Sequence, residues 1–176
     1  EGVVFGGSGE FDFDGGRDES DPGKATSYVF KDRLESFFDH LFTNDIPTLG
    51  ICYGHQIIAD YAGSRVWADP SQKKTKSALV TLNAEFDNHP LFKEVPKDFY
   101  AQYGHKDSVD SLPAEAELVA CGGEGCRFSM LKYKQNIFTC QFHPELTIDD
   151  LKTRIQESPG YLPEGVDVDE LFRATP

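Results

Sequence analysis

The sequence is short of several things, and each shortage narrows what it encodes. No apolar run approaches the ~20 residues of a membrane-spanning helix. Basic residues are scarce: 17 Lys and Arg stand against 30 Asp and Glu, a net charge of -13. That balance argues against nucleic acid or an anionic membrane as a direct partner. Cysteine is sparse as well. Cys52, Cys121, Cys126 and Cys140 are too few for a disulfide framework in 176 residues. Cys121 and Cys126 flank a glycine-rich stretch with no second Cys or His pair nearby, a poor zinc pattern. The chain also lacks internal repeats and a G-x-x-x-x-G-K-S/T phosphate loop.

What is present suffices for a packed core. Apolar residues make up 39% and aromatic residues 12%, so residues 1–176 are expected to form one globular domain. Its organising stretch is Leu49-Gly50-Ile51-Cys52-Tyr53-Gly54-His55-Gln56. An apolar strand over 46–51 runs into a sharp turn and then a helix over 54–62, which Gly63 ends. Glycines two before and two after Cys52 fit a nucleophile elbow with Cys in place of Ser. Such a turn exposes its side chain at the carboxyl edge of a parallel sheet, and the helix N-terminus is expected to lower the thiol pKa.

A second apolar strand, 137–142, ends in His143-Pro144-Glu145. A thiol nucleophile needs a base, and the base needs an orienting group. His143 can serve as the first and Glu145 as the second, because an extended x-Pro segment puts alternate side chains on one side.

Gly50-Ile-Cys52-Tyr-Gly54-His-Gln56 together with Gln141-Phe-His143-Pro-Glu145 resembles the class I (triad) glutamine amidotransferases. Gly6-Gly7-Ser8, after the Val3-Val4-Phe5 strand, is similar to that family's oxyanion loop, and Gly104-His105-Lys106-Asp107 to its GMP-synthetase-like branch. The resemblance implies a three-layer α/β fold, a doubly wound, largely parallel sheet with helices on both faces. It implies that Cys52, His143 and Glu145 are catalytic, that backbone N–H groups of Gly7 and Tyr53 hold the oxyanion, and that Gly6, Gln56 and His105 bind substrate. L-glutamine is then the substrate and an acceptor synthetase domain or subunit the partner, with no metal or organic cofactor. A nucleophilic Cys52 must stay reduced, which points to the cytoplasm. A gamma-glutamyl hydrolase or related cysteine peptidase uses the same three residues and is the competing enzyme reading. A non-catalytic regulatory domain of the same fold is the other alternative. The family also implies an earlier strand, helix and strand and a closing helix, so the chain is expected to be a fragment.

Elsewhere, residues 9–23 read as an exposed Gly/Asp-rich loop whose Asp12-x-Asp14 spacing does not match a calcium loop. Residues 27–42 form a helix with an aromatic core stripe. Strands are expected over 65–67, 78–82, 99–103, 117–121 and 127–133, with 72–76 as a loop. His89 reads as a capping or surface residue. Thr147 begins a helix that Pro159 ends, followed by a loop over 160–166 and a short helix over 167–172.

Overall fold

The structure is a computed structural model, and it describes residues 1–9, 11, 13, 18, 20, 22–123 and 125–157. The expected stop at Pro159, the loop over 160–166 and the helix over 167–172 lie outside the described residues, as do Asp12 and Asp14.

Three parallel strands form the part of the sheet that matters most. β1 (Val3–Phe5) pairs with β2 (Thr48–Ile51), and β2 pairs on its other side with β9 (Ile137–Cys140). Beyond β9 the sheet turns antiparallel, through β8 (Met130–Lys132), β7 (Glu117–Cys121), β4 (Lys74–Leu82) and β5 (Asp98–His105). The α/β class is as expected. Among the described residues the sheet is mixed, with its parallel character confined to β1, β2 and β9. A small second sheet pairs β3 (Val66–Trp67) with β6 (Ser108–Val109).

The β4–β5 hairpin departs most from the expected strands. Residues 74–76 are strand rather than loop, because Lys74, Thr75 and Lys76 pair with His105, Gly104 and Tyr103. The extra length carries β5 two residues past Tyr103 and delivers His105 to the sheet edge. Lys74 tolerates this burial because its Nζ donates to the Gly122 carbonyl and lies over the Tyr103 ring. The strand expected over 127–133 shrinks to β8, and the one over 137–142 to β9.

Helix α1 (Pro22–Asn44) begins five residues earlier than its apolar stripe indicates. Proline is accepted in a first helical turn, where its missing N–H has no partner to lose. Among its described side chains Phe38 and Leu41 are buried, with Leu34 and Phe42 beside them, whereas Val29 and Phe37 face solvent. Phe38 packs on Phe5 of β1 and on Tyr61 of helix α2 (Tyr53–Tyr61). A Lys31–Asp60 ion pair links the same two helices. Helix α2 is buried from Tyr53 through Ala59. It closes in a Schellman motif: Ser64 N–H donates to Ala59, Gly63 N–H donates to Asp60, and Gly63 takes φ +88°.

Residues 84–95 run through a short 3₁₀ turn and further turns, where His89 accepts from Leu91 N–H and packs on Phe92 and Phe138. Helix α3 (Ile148–Glu157) buries Leu151 and Ile155. Thr147 and Asp150 cap it reciprocally, each side chain accepting from the other's backbone N–H. No helix among the described residues is long and apolar enough to cross a membrane.

Candidate active site

Two neighbouring parallel strands end at the same edge, so the residues leaving β2 meet those leaving β9. Cys52 comes directly after β2. Its N–H donates to the Cys140 carbonyl at 2.8 Å, extending the ladder one residue past the strand. Its backbone then takes φ +52° and ψ -101°, a left-handed conformation that costs a non-glycine residue about 1–3 kcal/mol. Close packing on both sides holds it there. A Cβ on Gly50 would stand 2.8 Å from the Gly54 carbonyl oxygen, and one on Gly54 would stand 2.4 Å from the Phe5 oxygen. Only hydrogen fits at either position.

The Cys52 thiol is 5% exposed. Burial pushes its pKa up to about 12, against the lowering expected from the helix N-terminus. Hydrogen bonds from Tyr53 N–H and Gln141, and the charge of Arg154, oppose that rise without cancelling it. At ~1.4 kcal/mol per pKa unit, desolvating a thiolate here costs more than one helix terminus returns. The resting sulfur is therefore a neutral thiol.

His143 lies just past β9 and is fixed by its N–H donating to the Gln102 carbonyl at 2.8 Å. Its Nδ1 lies 2.7 Å from Glu145 Oε1. Nδ1–H donates to that carboxylate, which leaves Nε2 as the acceptor. Gly7 marks where this ring and Cys52 converge. A Cβ built on Gly7 would lie 3.4 Å from Cys52 Cβ, 3.5 Å from His143 Nε2 and 2.8 Å from His143 Cε1. The expected trio is thus brought to one place, with Gly7 against it. Gly6 sits one residue back, its carbonyl accepting from Gly54 N–H at 3.2 Å.

Gln56 and His105 reach the same edge from the other side. The Gln56 amide nitrogen donates to the Asp107 carbonyl at 2.8 Å and to Gln141 Oε1 at 3.2 Å. Gln141 Nε2 in turn stands 3.7 Å from Cys52 Sγ, completing a buried chain from Asp107 to the sulfur. His105 Nδ1 donates to the Asp107 carbonyl at 2.9 Å, and its Nε2 is buried without a partner among the described residues. Burial lowers the His105 pKa to about 4, so the ring is neutral. His55 lies behind the elbow, 2.8 Å from Thr139 Oγ1, and burial brings its pKa to about 3. The 9–23 loop is not simply exposed: Phe13 is buried, and its N–H donates to Asp107 Oδ2 at 2.8 Å.

Sequence reasoning assigned no role to Gln141, Thr75 or Arg154. Gln141 stands two residues before His143, and strand alternation was a signal that both share a face. Thr75 and Arg154 had none, since each reaches the site through tertiary packing. Both line a cavity of about 190 Å³ beside Cys52 and His143. A second cavity, about 20 Å³, lies between Cys52, Gln56 and His105. Among the described residues no group of three or more His, Cys, Asp or Glu is placed to hold a metal ion.

Comparison with known proteins agrees with this geometry. The family described as Glutamine amidotransferase class-I matches residues 22–158. A GMP synthase (glutamine-hydrolyzing) subunit of Methanococcus aeolicus is 33% identical over 117 residues, 66% of this chain and 60% of that protein. The GMP synthase (glutamine-hydrolyzing) of Sulfurimonas denitrificans is 37% identical over 107 residues, 60% of this chain and 20% of that protein. The chain therefore spans less than two thirds of these relatives. In fold it is similar to a glutamine amidotransferase from Thermotoga maritima, with TM-score 0.72 and 19% identity, covering 98% of this chain and 89% of that one. With an elbow cysteine, a His–Glu pair beside it and a family match over 22–158, this chain belongs to the class I glutamine amidotransferases.

Proposed function

We propose that this chain hydrolyses the side-chain amide of L-glutamine and passes the ammonia to an acceptor synthetase, present as a partner domain or subunit. The observation that carries the reading is the meeting of Cys52 Cβ and His143 Nε2 around Gly7, with Glu145 behind the imidazole.

The neutral thiol dictates the order of events. His143 Nε2 takes the Cys52 proton as sulfur attacks the amide carbon, so no free thiolate accumulates. Glu145 keeps Nδ1 protonated and stabilises the imidazolium. Backbone N–H groups of Gly7 and Tyr53 receive the oxyanion, each worth roughly 3–4 kcal/mol of barrier. His143 then protonates the departing nitrogen, the C–N bond breaks and ammonia leaves a glutamyl thioester. Water, deprotonated by the same imidazole, attacks the thioester, and collapse returns the proton to sulfur and releases glutamate. Gln141 holds the sulfur's orientation, Gln56 and His105 border the smaller cavity, and these two, with Gly6 one residue behind Gly7, orient the bound amide. A reduced Cys52 suits a cytoplasmic setting.

The similarity to GMP synthases supports an acceptor of that kind. The test is ammonia release from L-glutamine compared with gamma-glutamyl peptides, with Cys52→Ala as control. Glutamine should be preferred, and Cys52→Ala should be silent. Preference for the peptides would instead favour a gamma-glutamyl hydrolase.

A further inference from the structure

The chain just past β9 pairs with the free edge of β5. Gln102 and His143 stand opposite each other in an antiparallel bridge, closed by the 2.8 Å bond from the His143 N–H to the Gln102 carbonyl. On its other side Gln102 stands opposite Ser77 of β4. Directly opposed residues of an antiparallel ladder put their side chains on the same face, with Cβ atoms roughly 4.5–5.5 Å apart. Ser77, Gln102 and His143 thus make one row across the sheet, and the row ends at the imidazole.

Two polar atoms in this row, Gln102 Oε1 and Ser77 Oγ, are buried without a hydrogen-bond partner among the described residues. So is Oγ1 of Thr75, two residues from Ser77 on the same face. Gln102, Ser77 and Thr75 are only 8%, 7% and 8% exposed. A buried polar group left unpaired is costly, and three of them on one face point to a shared ligand. All three are uncharged, which suits a small neutral molecule with O–H groups. Thr75 and Gly104 carry the face to the cavity of about 190 Å³ that Cys52 and His143 also line. A Cβ on Gly104 would meet only Leu151 Cδ1, at 3.9 Å, so nothing from Gly104 itself blocks the way to the row.

Water is the second substrate of the reaction, and it must be caught beside His143 once ammonia has left. A water on this row has one hydrogen for Gln102 Oε1 and one for His143 Nε2. The Ser77 or Thr75 hydroxyl donates to one lone pair, and the other lone pair is free to attack. Two to four partners is what a buried water ordinarily takes.

We propose that Gln102, backed by Ser77 and Thr75, positions the water that hydrolyses the glutamyl thioester. This deepens the glutamine reading above and rests on it. In that step the water oxygen bonds to the thioester carbon and the C–S bond breaks, its electron pair going to sulfur. The water proton passes through His143 Nε2 to the same sulfur. Forming the thioester uses no such water, so these residues act on the second half of the reaction.

The test separates the two halves. With L-glutamine, Gln102→Leu should accumulate thioester, trapped by acid quench and read by intact mass, and the thioester should decay about tenfold more slowly than in the wild type. Labelling of Cys52 by a diazoketone analogue of glutamine needs the nucleophile but no water, so it should keep its wild-type rate. Hydroxylamine attacks thioesters without a bound water, and should raise ammonia release by Gln102→Leu while yielding the hydroxamate. Gln102→Glu retains an acceptor oxygen and should recover part of the lost hydrolysis. Ser77→Ala should accumulate thioester to a smaller extent, and it carries the test if Gln102→Leu does not fold. If the wild-type protein is not labelled and releases no ammonia, the glutamine reading falls and this inference with it. If the wild type works and the variants hydrolyse their thioester at its rate, the inference alone is overturned. Equal losses in labelling and in turnover would likewise overturn it, by showing that the row only supports the fold.

Discussion

His143 Nδ1 and Glu145 Oε1 lie 2.7 Å apart across a single proline, so the base and its orienting group form one rigid unit at the end of β9. The contact fixes the tautomer that points a bare Nε2 toward Cys52. Removing the base should therefore cost nearly as much as removing the nucleophile. Expected losses in kcat are about 10⁴-fold or more for Cys52→Ala and His143→Ala, and at least about tenfold smaller for Glu145→Gln. Steady-state ammonia release measures all three. A Glu145→Gln loss equal to that of His143→Ala would mean the carboxylate does more than orient.

Gly7→Ala should separate stability from activity. The new methyl would meet His143 Cε1 at 2.8 Å, a side-chain contact that the ring can yield to by turning. The melting temperature should stay near wild type while kcat falls about 100-fold, the cost of displacing a reacting group by a fraction of an ångström. An active Gly7→Ala protein would remove Gly7 from the site.

Gly54→Ala should instead fail as a fold. Its Cβ would lie 2.4 Å from a backbone oxygen of Phe5, which cannot move without parting β1 from β2. A loss of about 3 kcal/mol or more is expected in denaturant unfolding. At Gly6 an added Cβ meets nothing within 4 Å, so Gly6→Ala should unfold at the wild-type midpoint. Equal midpoints for the two variants would contradict the close approach at the elbow.

Stability should fall with pH between neutrality and about pH 4. His55 and His105 have folded pKa values near 3 and 4, below the ordinary 6.5. Above pH 6.5 both states are neutral and nothing is lost. Below it the unfolded chain binds protons that the folded chain refuses, so each histidine costs about 2 kcal/mol by pH 5. Denaturant midpoints from pH 7 to 5 measure this, and His55→Asn should flatten part of the slope. A flat profile in the wild type would place both rings in water.

The elbow, the base and the parallel strands were legible because local chemistry dictates them. Gly50 and Gly54 bracket Cys52 at a spacing that only a tight strand-to-helix turn uses, and His143 ends an unmistakable apolar strand. The thiol pKa was misread, since a helix N-terminus is visible in sequence and the degree of burial is not. The start of β4 was missed because Lys73, Lys74 and Lys76 read as a polar loop. What makes Lys74 a strand residue is the distant Gly122 carbonyl. Gln141 and Arg154 escaped for the same reason: their meaning lies in what the fold brings to them.

The buried, neutral Cys52 also bears on how the molecule ages. Peroxide attacks thiolates, and a sulfur that loses its proton only as it attacks substrate offers oxidants almost nothing at rest. Cys126, pushed up to about 11 by burial, and Cys140, raised further by the same cause, share that protection. Cys121 is the half-exposed thiol. Oxidative wear should therefore register first at the end of β7, at a cysteine with no part in turnover, leaving catalytic capacity intact after the first oxidised species appear in a mass spectrum.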